Sequence, residues 1–360
     1  MTDFLVIGGG IAGLSAGAWL SSLGSVTVLE AEDATGYHSS GRSAALFVAD
    51  YGLPSTVALN LASHDYLRNS GGGYLTPRGL LLVAHATQHD RFLADAADLN
   101  LAPIPAAQAR EMVPILSPKA VELAAYRDSA RDIDTDRLMQ DLARVIRSHG
   151  GQVLTRARVT AITRRGGGWQ VETARGGGHD ARQLVNAAGA WADEVAQLAG
   201  LPPIGIVSYR RSMVRLPAPG GQVVGTWPMV MGTGESWYAK PDAGKLLVSP
   251  AEEDAVAPQD AFTDDMVLAE GLARYQDMVT EPVTRVETSW AGLRSFAPDR
   301  SLVLGPDPVQ HDFIWCAGQG GYGFQTAPAA AQLLADLISG LPSALPPDVV
   351  AALTPERLRQ

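Results

Sequence analysis

A single cysteine, Cys316, stands among 360 residues. No intramolecular disulfide can form, which excludes a secreted disulfide scaffold and suits a reducing compartment. Thiolate zinc sites are excluded as well, and no metal centre is expected. Charge is sparse at 18 %, and the formal net charge is −10. Nonspecific nucleic-acid binding needs excess cations, so it is not expected. With 46 % hydrophobic residues the chain is too apolar for disorder. No uncharged apolar run is long enough to span a bilayer. The first strand begins by about Phe4, leaving no room for a charged leader. The expected setting is cytoplasmic, with peripheral contact at an inner membrane left open.

What is present is glycine, placed at junctions between apolar runs. Phe4 to Ile7 reads as a buried strand, Ile11 to Leu23 as a helix closed by Gly24, and Val26 to Leu29 as a second buried strand. This βαβ unit implies a parallel sheet. Val57 to Arg68 and His89 to Leu99 read as helices, and an apolar strand lies within Leu75 to Ala84. Asp134 opens an amphipathic helix with Leu138, Leu142, Val145 and Ile146 on one face, stopped by Gly150. Val153 to Ile162, Trp169 to Thr173 and Leu184 to Asn186 read as strands. Arg210 to Leu216 and Ser236 to Val248 read as strands of a separate sheet, followed by a helix over Asp265 to Val279. Phe313 to Ala317 is a buried strand entering a helix that runs to about Ile338, and the Pro-rich residues from Leu341 read as a loosely held tail. Nucleotide-binding pieces thus lie at the start, middle and end of the chain. The expected organisation is two interleaved domains, with 1–50, 131–200 and 285–360 in one and 51–130 and 201–284 in the other.

Gly8-Gly9-Gly10-Ile11-Ala12-Gly13 matches G-x-G-x-x-G between a strand and a helix, and Glu30 ends the next strand 22 residues after Gly8. The first glycine makes the tight turn, the second admits a pyrophosphate, and the third lets helix and strand approach. The pyrophosphate sits at the positive helix end, and the carboxylate accepts from a ribose hydroxyl. A plain βαβ turn with an incidental Glu would produce the same letters without the ligand. Gly318-Gln319-Gly320-Gly321-Tyr322-Gly323 is a second glycine-rich strand-to-helix junction. Such a helix start can stabilise the anion of a reduced flavin ring.

Longer segments carry a resemblance. They are Val6 to Gly13, Gly36-Tyr37-His38-Ser39-Ser40-Gly41-Arg42-Ser43-Ala44-Ala45, Val185-Asn186-Ala187-Ala188-Gly189-Ala190-Trp191, Thr288-Ser289-Trp290-Ala291-Gly292-Leu293-Arg294-Ser295-Phe296 and Gln319 to Gly323. Together they resemble the FAD-dependent D-amino-acid oxidase (DAO) superfamily over nearly the whole chain. Glu235-Ser236-Trp237-Tyr238 and Lys240-Pro241-Asp242-Ala243-Gly244 add a particular similarity to bacterial D-arginine dehydrogenase. The resemblance implies an α/β fold with a Rossmann-like FAD-binding domain of the glutathione-reductase type and an α+β substrate domain with a mainly antiparallel sheet. It implies noncovalent FAD held by Gly8, Gly10, Ile11, Ala12, Gly13 and Glu30. Gly41, Arg42, Ser43 and Ala44 would lie along the flavin and pyrophosphate, and Val159 would meet the adenine through its backbone. Ala187, Gly189, Trp191, Gly320, Gly321, Tyr322, Gly323 and Phe324 would complete the site. Arg211 and Arg294 would hold a substrate carboxylate, Tyr51 and Tyr238 would donate hydroxyls, and the Gly321 carbonyl would accept from the amine. A planar guanidinium fork matches a carboxylate better than a Lys ammonium does. No general base is required if the amine arrives neutral.

Two departures shape the expected activity. The relative's guanidinium-binding glutamate falls at Leu80 and a pocket histidine at Leu46, which with Val48 would line the substrate side-chain pocket. A buried guanidinium without a carboxylate partner is costly, so apolar D-amino acids are expected over D-Arg and D-Lys. Sarcosine oxidases carry a lysine over the flavin and a cysteine attached to it. Leu247 to Ala255 holds no lysine, Trp290 to Ser295 no cysteine, and Cys316 reads as core. The expected activity is a D-amino-acid dehydrogenase. It would move a hydride from substrate Cα to flavin N5, giving an imino acid that hydrolyses to a 2-oxo acid and ammonium. Electrons would pass to an acceptor other than O2, such as a quinone. Alternatives are a secondary-amine oxidase (sarcosine, N-methyl or proline-like) producing hydrogen peroxide, and a non-catalytic flavin-binding subunit of a larger complex.

Overall fold

A computed structural model describes residues 1–359. Thr2–Ile7 is central to an eight-stranded sheet, parallel to Val26–Leu29 on one side and to Gly178–Asn186 on the other. Gln152–Leu154 and Phe313–Ala317 extend the parallel part, and the antiparallel strands Val159–Arg165, Gly168–Thr173 and Val303–Pro306 complete the sheet. Leu5, Val6, Val28, Leu184 and Val185 are fully buried, as both-face covering of a parallel sheet requires. Helices Ile11–Leu20, Thr135–Ser148 and Gly323–Ser339 cover one face, and helix Ala192–Leu198 packs on the other. Gly13 permits this close packing, because a Cβ there would sit 1.9 Å from the Gly8 carbonyl oxygen. The Asp134 carboxylate caps its helix by accepting from Arg137 N–H at 3.1 Å.

The second sheet has nine strands. It is antiparallel except where Met229–Gly232 runs parallel to Leu80–Ala84. Alternation divides its residues cleanly. Leu81, Val83, Val230, Ala239 and Val248 enter a core shared with Trp237, Tyr275 and Leu268. Leu80, Leu82, Met229, Met231, Tyr238 and Leu247 gather on the opposite face. A small sheet of Leu46–Phe47, Arg131–Ile133 and Leu75–Pro77 stands beside it. Among the described residues no helix is long and apolar enough to cross a membrane.

Several sequence expectations are corrected. The helix from Ile11 ends at Leu20, before a turn that reaches Gly24. Ser236 to Val248 is a hairpin, Tyr238–Asp242 and Lys245–Ser249, turned at Ala243 and Gly244 with φ of 46° and 76°. Val153 to Ile162 is broken at Arg156, whose φ is 57°. Segment 285–360 does not belong wholly to the first layer. Thr288–Phe296 pairs along its length with Val207–Leu216 in the second sheet. Conversely, helix Pro54–Asn69 from segment 51–130 sends Leu59 and Leu67 into the first sheet's core.

The chain end is not loose. Helix Pro347–Ala351 follows the Pro-rich stretch, Leu353 is fully buried, and its carbonyl accepts from Leu304 N–H at 2.8 Å. Arg357 donates to Asp299 at 2.6 Å and to the Ser301 and Leu302 carbonyls. Arg359 reaches Asp307 at 3.0 Å. Leu353→Ala should therefore destabilise the FAD-loaded protein by about 2–5 kcal/mol, the usual cost of emptying a buried leucine site. Denaturant unfolding measures this, and an unchanged midpoint would mean that the tail is not part of the core.

Candidate active site

A cavity of about 540 Å³ runs between the two sheets. At one end lie Gly8, Gly10, Ile11 and Ala12, where the first strand turns into its helix. Gly8 adopts φ +109°, and a Cβ would lie 2.3 Å from the Ala187 carbonyl oxygen. Ile11 N–H donates to Ser40 Oγ at 3.0 Å. The helix start therefore faces the cavity with small residues and a positive dipole. Glu30 forms the adjoining wall. Its Oε2 accepts from Gly9 N–H at 2.8 Å and its Oε1 from Glu32 N–H at 2.9 Å. These bonds fix the carboxylate and leave further lone pairs for ribose hydroxyls. Val159, Ala157 and Arg158 line the far end with Trp191, whose ring centroid is 4.7 Å from that of His38. The long cleft, helix terminus and fixed carboxylate fit a dinucleotide, and FAD in particular would suit a cavity that continues past Ser43, Ala44, Ala187 and Gly189 to a second helix start.

That second junction brings Gly320, Gly321, Gly323 and Phe324 to the wall. Gly320 has φ +52°, and a Cβ would lie 2.2 Å from the Phe296 ring. Gly321 leaves room for Arg294, since a Cβ would approach its Cζ at 3.2 Å. Four expected cofactor residues act differently. Gly41 is not at the wall; its N–H donates to Gly36 O at 2.6 Å. Arg42 lines the cavity, but its guanidinium is engaged by Asp260 at 2.5 Å and by the Ala261 and Ala291 carbonyls. Tyr322 turns its ring to Tyr51, with centroids 5.5 Å apart, and Gly13 serves helix packing.

The substrate end is set by strand register. Arg211 lies opposite Gly292, and Arg294 lies opposite Tyr209 on the same antiparallel pair. The two arginines are thus diagonal neighbours on one face. Arg211 is buried, and its Nε has no hydrogen-bond partner. Burial, then repulsion by Arg294, lowers its affinity for its proton. Tyr238 stands on the same face, beside Leu46, Val48, Leu80, Leu99, Met229 and Met231, all on the cavity wall. The arrangement can hold an anionic group at one point and an apolar chain beyond it.

The Tyr51 hydroxyl donates to Glu235 Oε1 at 2.8 Å, so in this structure its proton is directed to a carboxylate. Glu235 had no assigned role in the sequence, although it opens a quoted segment. It lies in a turn with φ 49°, where no periodicity marks a side chain's direction. Asp95 holds that turn, accepting from Thr233 Oγ1 at 2.9 Å and Gly234 N–H at 2.6 Å. Leu99, Met229 and Met231 were also missed, because an apolar residue in a strand reads alike whether it meets core or ligand.

Burial first, and then the Glu235 charge, push the Tyr51 phenol far above its ordinary range. Both disfavour phenolate, so Tyr51 stays protonated through neutral and alkaline pH and serves as a donor. Any alkaline limb in the pH profile of flavin reduction between about pH 7 and 10 should persist in Tyr51→Phe. Loss of that limb in the variant would contradict the assignment.

Residues 3–337 match the family model described as DAO, FAD dependent oxidoreductase. The chain is 25 % identical to FAD-dependent oxidoreductase domain-containing protein 1 of Bos taurus, over 94 % of this chain and 81 % of that protein. It is 25 % identical to L-2-hydroxyglutarate dehydrogenase of Escherichia coli (strain K12), over 62 % of this chain and 56 % of the enzyme. In fold it is similar to L-proline dehydrogenase from P. horikoshii, with a TM-score of 0.83 and 22 % identity over 99 % of this chain and 98 % of that one. The matched length, the two-sheet architecture and the FAD-shaped cleft together establish that this chain belongs to the DAO family of FAD dependent oxidoreductases.

Proposed function

We propose that the protein is a D-amino-acid dehydrogenase that favours apolar side chains. The observation that carries this reading is the Arg211–Arg294 pair, with one buried unpartnered Nε, facing a pocket whose side-chain end is lined by Leu46, Val48, Leu80, Leu99, Met229 and Met231. A carboxylate satisfies both guanidiniums and relieves their mutual repulsion. Support for the D configuration and for an amine comes from the resemblance of Glu235–Tyr238 and Lys240–Gly244 to bacterial D-arginine dehydrogenase.

FAD, when bound, supplies a two-electron acceptor. The chain's own residues supply orientation. Arg211 and Arg294 hold the carboxylate, Tyr238 donates to it, and the Gly321 carbonyl accepts from the amine. Tyr51 keeps its proton on the Glu235 side. The substrate loses a hydride from Cα and a proton from nitrogen, and water converts the resulting imino acid to a 2-oxo acid and ammonium. Electrons then pass to an acceptor of quinone type. Lys240 presents no ammonium to the cavity: its Nζ donates to the Ala44 carbonyl and pairs with Asp132. That supports the dehydrogenase reading over an oxidase.

The pocket also separates this reading from that of a dicarboxylate oxidoreductase. A second carboxylate would lie among Leu46, Leu80, Leu99, Met229 and Met231, with no cation. The D-Arg guanidinium would meet no carboxylate among those apolar residues; Glu235, on the same cavity wall, is engaged by Tyr51. An unpaired buried charge costs about 3 kcal/mol or more, at least about a hundredfold.

Anaerobic mixing of the FAD-loaded protein with single amino acids, sarcosine and L-2-hydroxyglutarate tests the proposal through loss of flavin absorbance. Apolar D-amino acids should bleach the flavin at least about a hundredfold more efficiently than D-Arg or L-2-hydroxyglutarate. A preference for D-Arg would overturn the pocket argument. Bleaching by sarcosine alone would move the protein to the secondary amines, and no bleaching at all would make the flavin structural.

A further inference from the structure

The segment Lys240-Pro241-Asp242-Ala243-Gly244 carries part of the sequence resemblance, yet it contacts neither the substrate nor the flavin in the roles assigned above. Its lysine is among the most buried cations of the chain, with only 9 % of its side chain exposed. Lys240 follows Tyr238 by two residues on the same strand and therefore shares its face. Tyr238 reaches the main cavity, whereas Lys240 lines a second cavity of about 200 Å³ together with Arg78 and Asp132.

The backbone of Ala44 and Ala45 stands between the two. Both residues line the main cavity. From behind, Lys240 Nζ donates to the Ala44 carbonyl oxygen at 2.5 Å. Ala45 adopts φ 49°, a conformation that L residues avoid. It is held on each side, since its N–H donates to Ser43 Oγ at 3.1 Å and its carbonyl accepts from Ile133 N–H at 3.1 Å. Strained backbone of this kind persists only where its surroundings over-determine it. Asp132 supplies the anchor. Its Oδ1 forms an ion pair with Lys240 Nζ at 2.9 Å, its Oδ2 accepts from Arg78 Nε at 2.7 Å, and it pairs in register with Leu46, which lines the substrate pocket. Arg78 is tied in turn to the Gly225 and Trp227 carbonyls.

A buried ammonium needs partners, and a methylene chain of equal length would pack there without them. The particular carbonyl it meets belongs to the segment that forms the wall along the flavin and leads into the side-chain pocket. We infer that Lys240 is a positioning residue: clamped by Asp132, it fixes the Ala44 carbonyl and thereby the left-handed Ala45 turn, holding residues 43–46 in the shape that both the flavin and the substrate side chain meet. The inference rests on the proposed function only for its kinetic consequence.

Three readouts on FAD-loaded Lys240→Met and Lys240→Arg test it. Amide hydrogen exchange over 43–47 should rise about tenfold or more in Lys240→Met, while the hairpin Tyr238–Ser249 stays protected. The visible flavin bands should shift. kcat for flavin reduction should fall by about 10–100-fold with KM within about threefold, because Arg211 and Arg294 are untouched. Lys240→Arg should restore protection at 43–47. Exchange and flavin bands are read without substrate, so a wrong substrate assignment leaves them intact. Unchanged exchange at 43–47, or exchange that rises equally through the hairpin, would overturn the inference. If Lys240→Met does not fold, Asp132→Asn keeps the ammonium but removes its counter-charge; it must loosen 43–47 alone, and unchanged exchange there overturns the inference equally.

Discussion

Two guanidinium groups on one face of one antiparallel pair set the terms for the substrate end of the molecule. Diagonal neighbours on such a pair lie roughly 7–8 Å apart, and at an effective dielectric of about 20 two like charges there repel by about 2 kcal/mol. Among the described residues no carboxylate forms an ion pair with Arg211, and its Nε is unpartnered. The surroundings are arranged to tolerate the pair. Gly321 clears space for the Arg294 guanidinium, Gly292 stands opposite Arg211, and Glu235 adds a negative charge nearby. A ligand carboxylate completes the set. The long pairing of Val207–Leu216 with Thr288–Phe296 fixes that geometry, because a slip of one residue between the strands would put the two arginines on opposite faces.

The two sheets divide the work. The parallel sheet is buried on both faces and brings two helix starts to the wall of the cleft, a rigid frame for the dinucleotide. The antiparallel sheet puts one face into its own core and leaves the other to be the pocket wall, so that Leu80, Met229 and Met231 are at once strand residues and ligand contacts. Residues 43–46 lie where the two meet. They are short, irregular and strained, and they are tied from behind by the Lys240 side chain of the antiparallel sheet and by backbone pairing in the small sheet.

Legibility in the sequence followed locality. Gly8 to Gly13 and Glu30 are fixed by contacts within one βαβ unit, with Gly8 in the tight turn, Gly13 at the helix–strand approach and Glu30 held by Gly9. The Asp134 cap and the helix after it are equally local. Thr288–Phe296 was misplaced between layers because a strand's partner is set by long-range pairing, which no local pattern encodes. Helix Pro54–Asn69 shows the same effect, its buried face being chosen by helix Gly323–Ser339 far along the chain. The tail from Leu341 looked loose because proline is frequent there, yet Leu353 and Arg357 dock it through contacts with residues 299–304. Within the site, Arg211, Arg294 and Tyr238 came from family resemblance rather than spacing. Glu235 escaped because a left-handed turn, not a repeat, aims it at Tyr51.

The pairing of Arg211 with a ligand carboxylate can be measured without turnover. Titration of the oxidised FAD-loaded protein with an unreactive 2-oxo acid, followed by perturbation of the flavin bands, gives a dissociation constant for the wild type and for Arg211→Met. Truncating one partner of a buried charge pair costs about 2–5 kcal/mol, so the variant should bind at least about thirtyfold more weakly while still holding FAD. Equal affinity in the two proteins would show that the carboxylate does not meet Arg211.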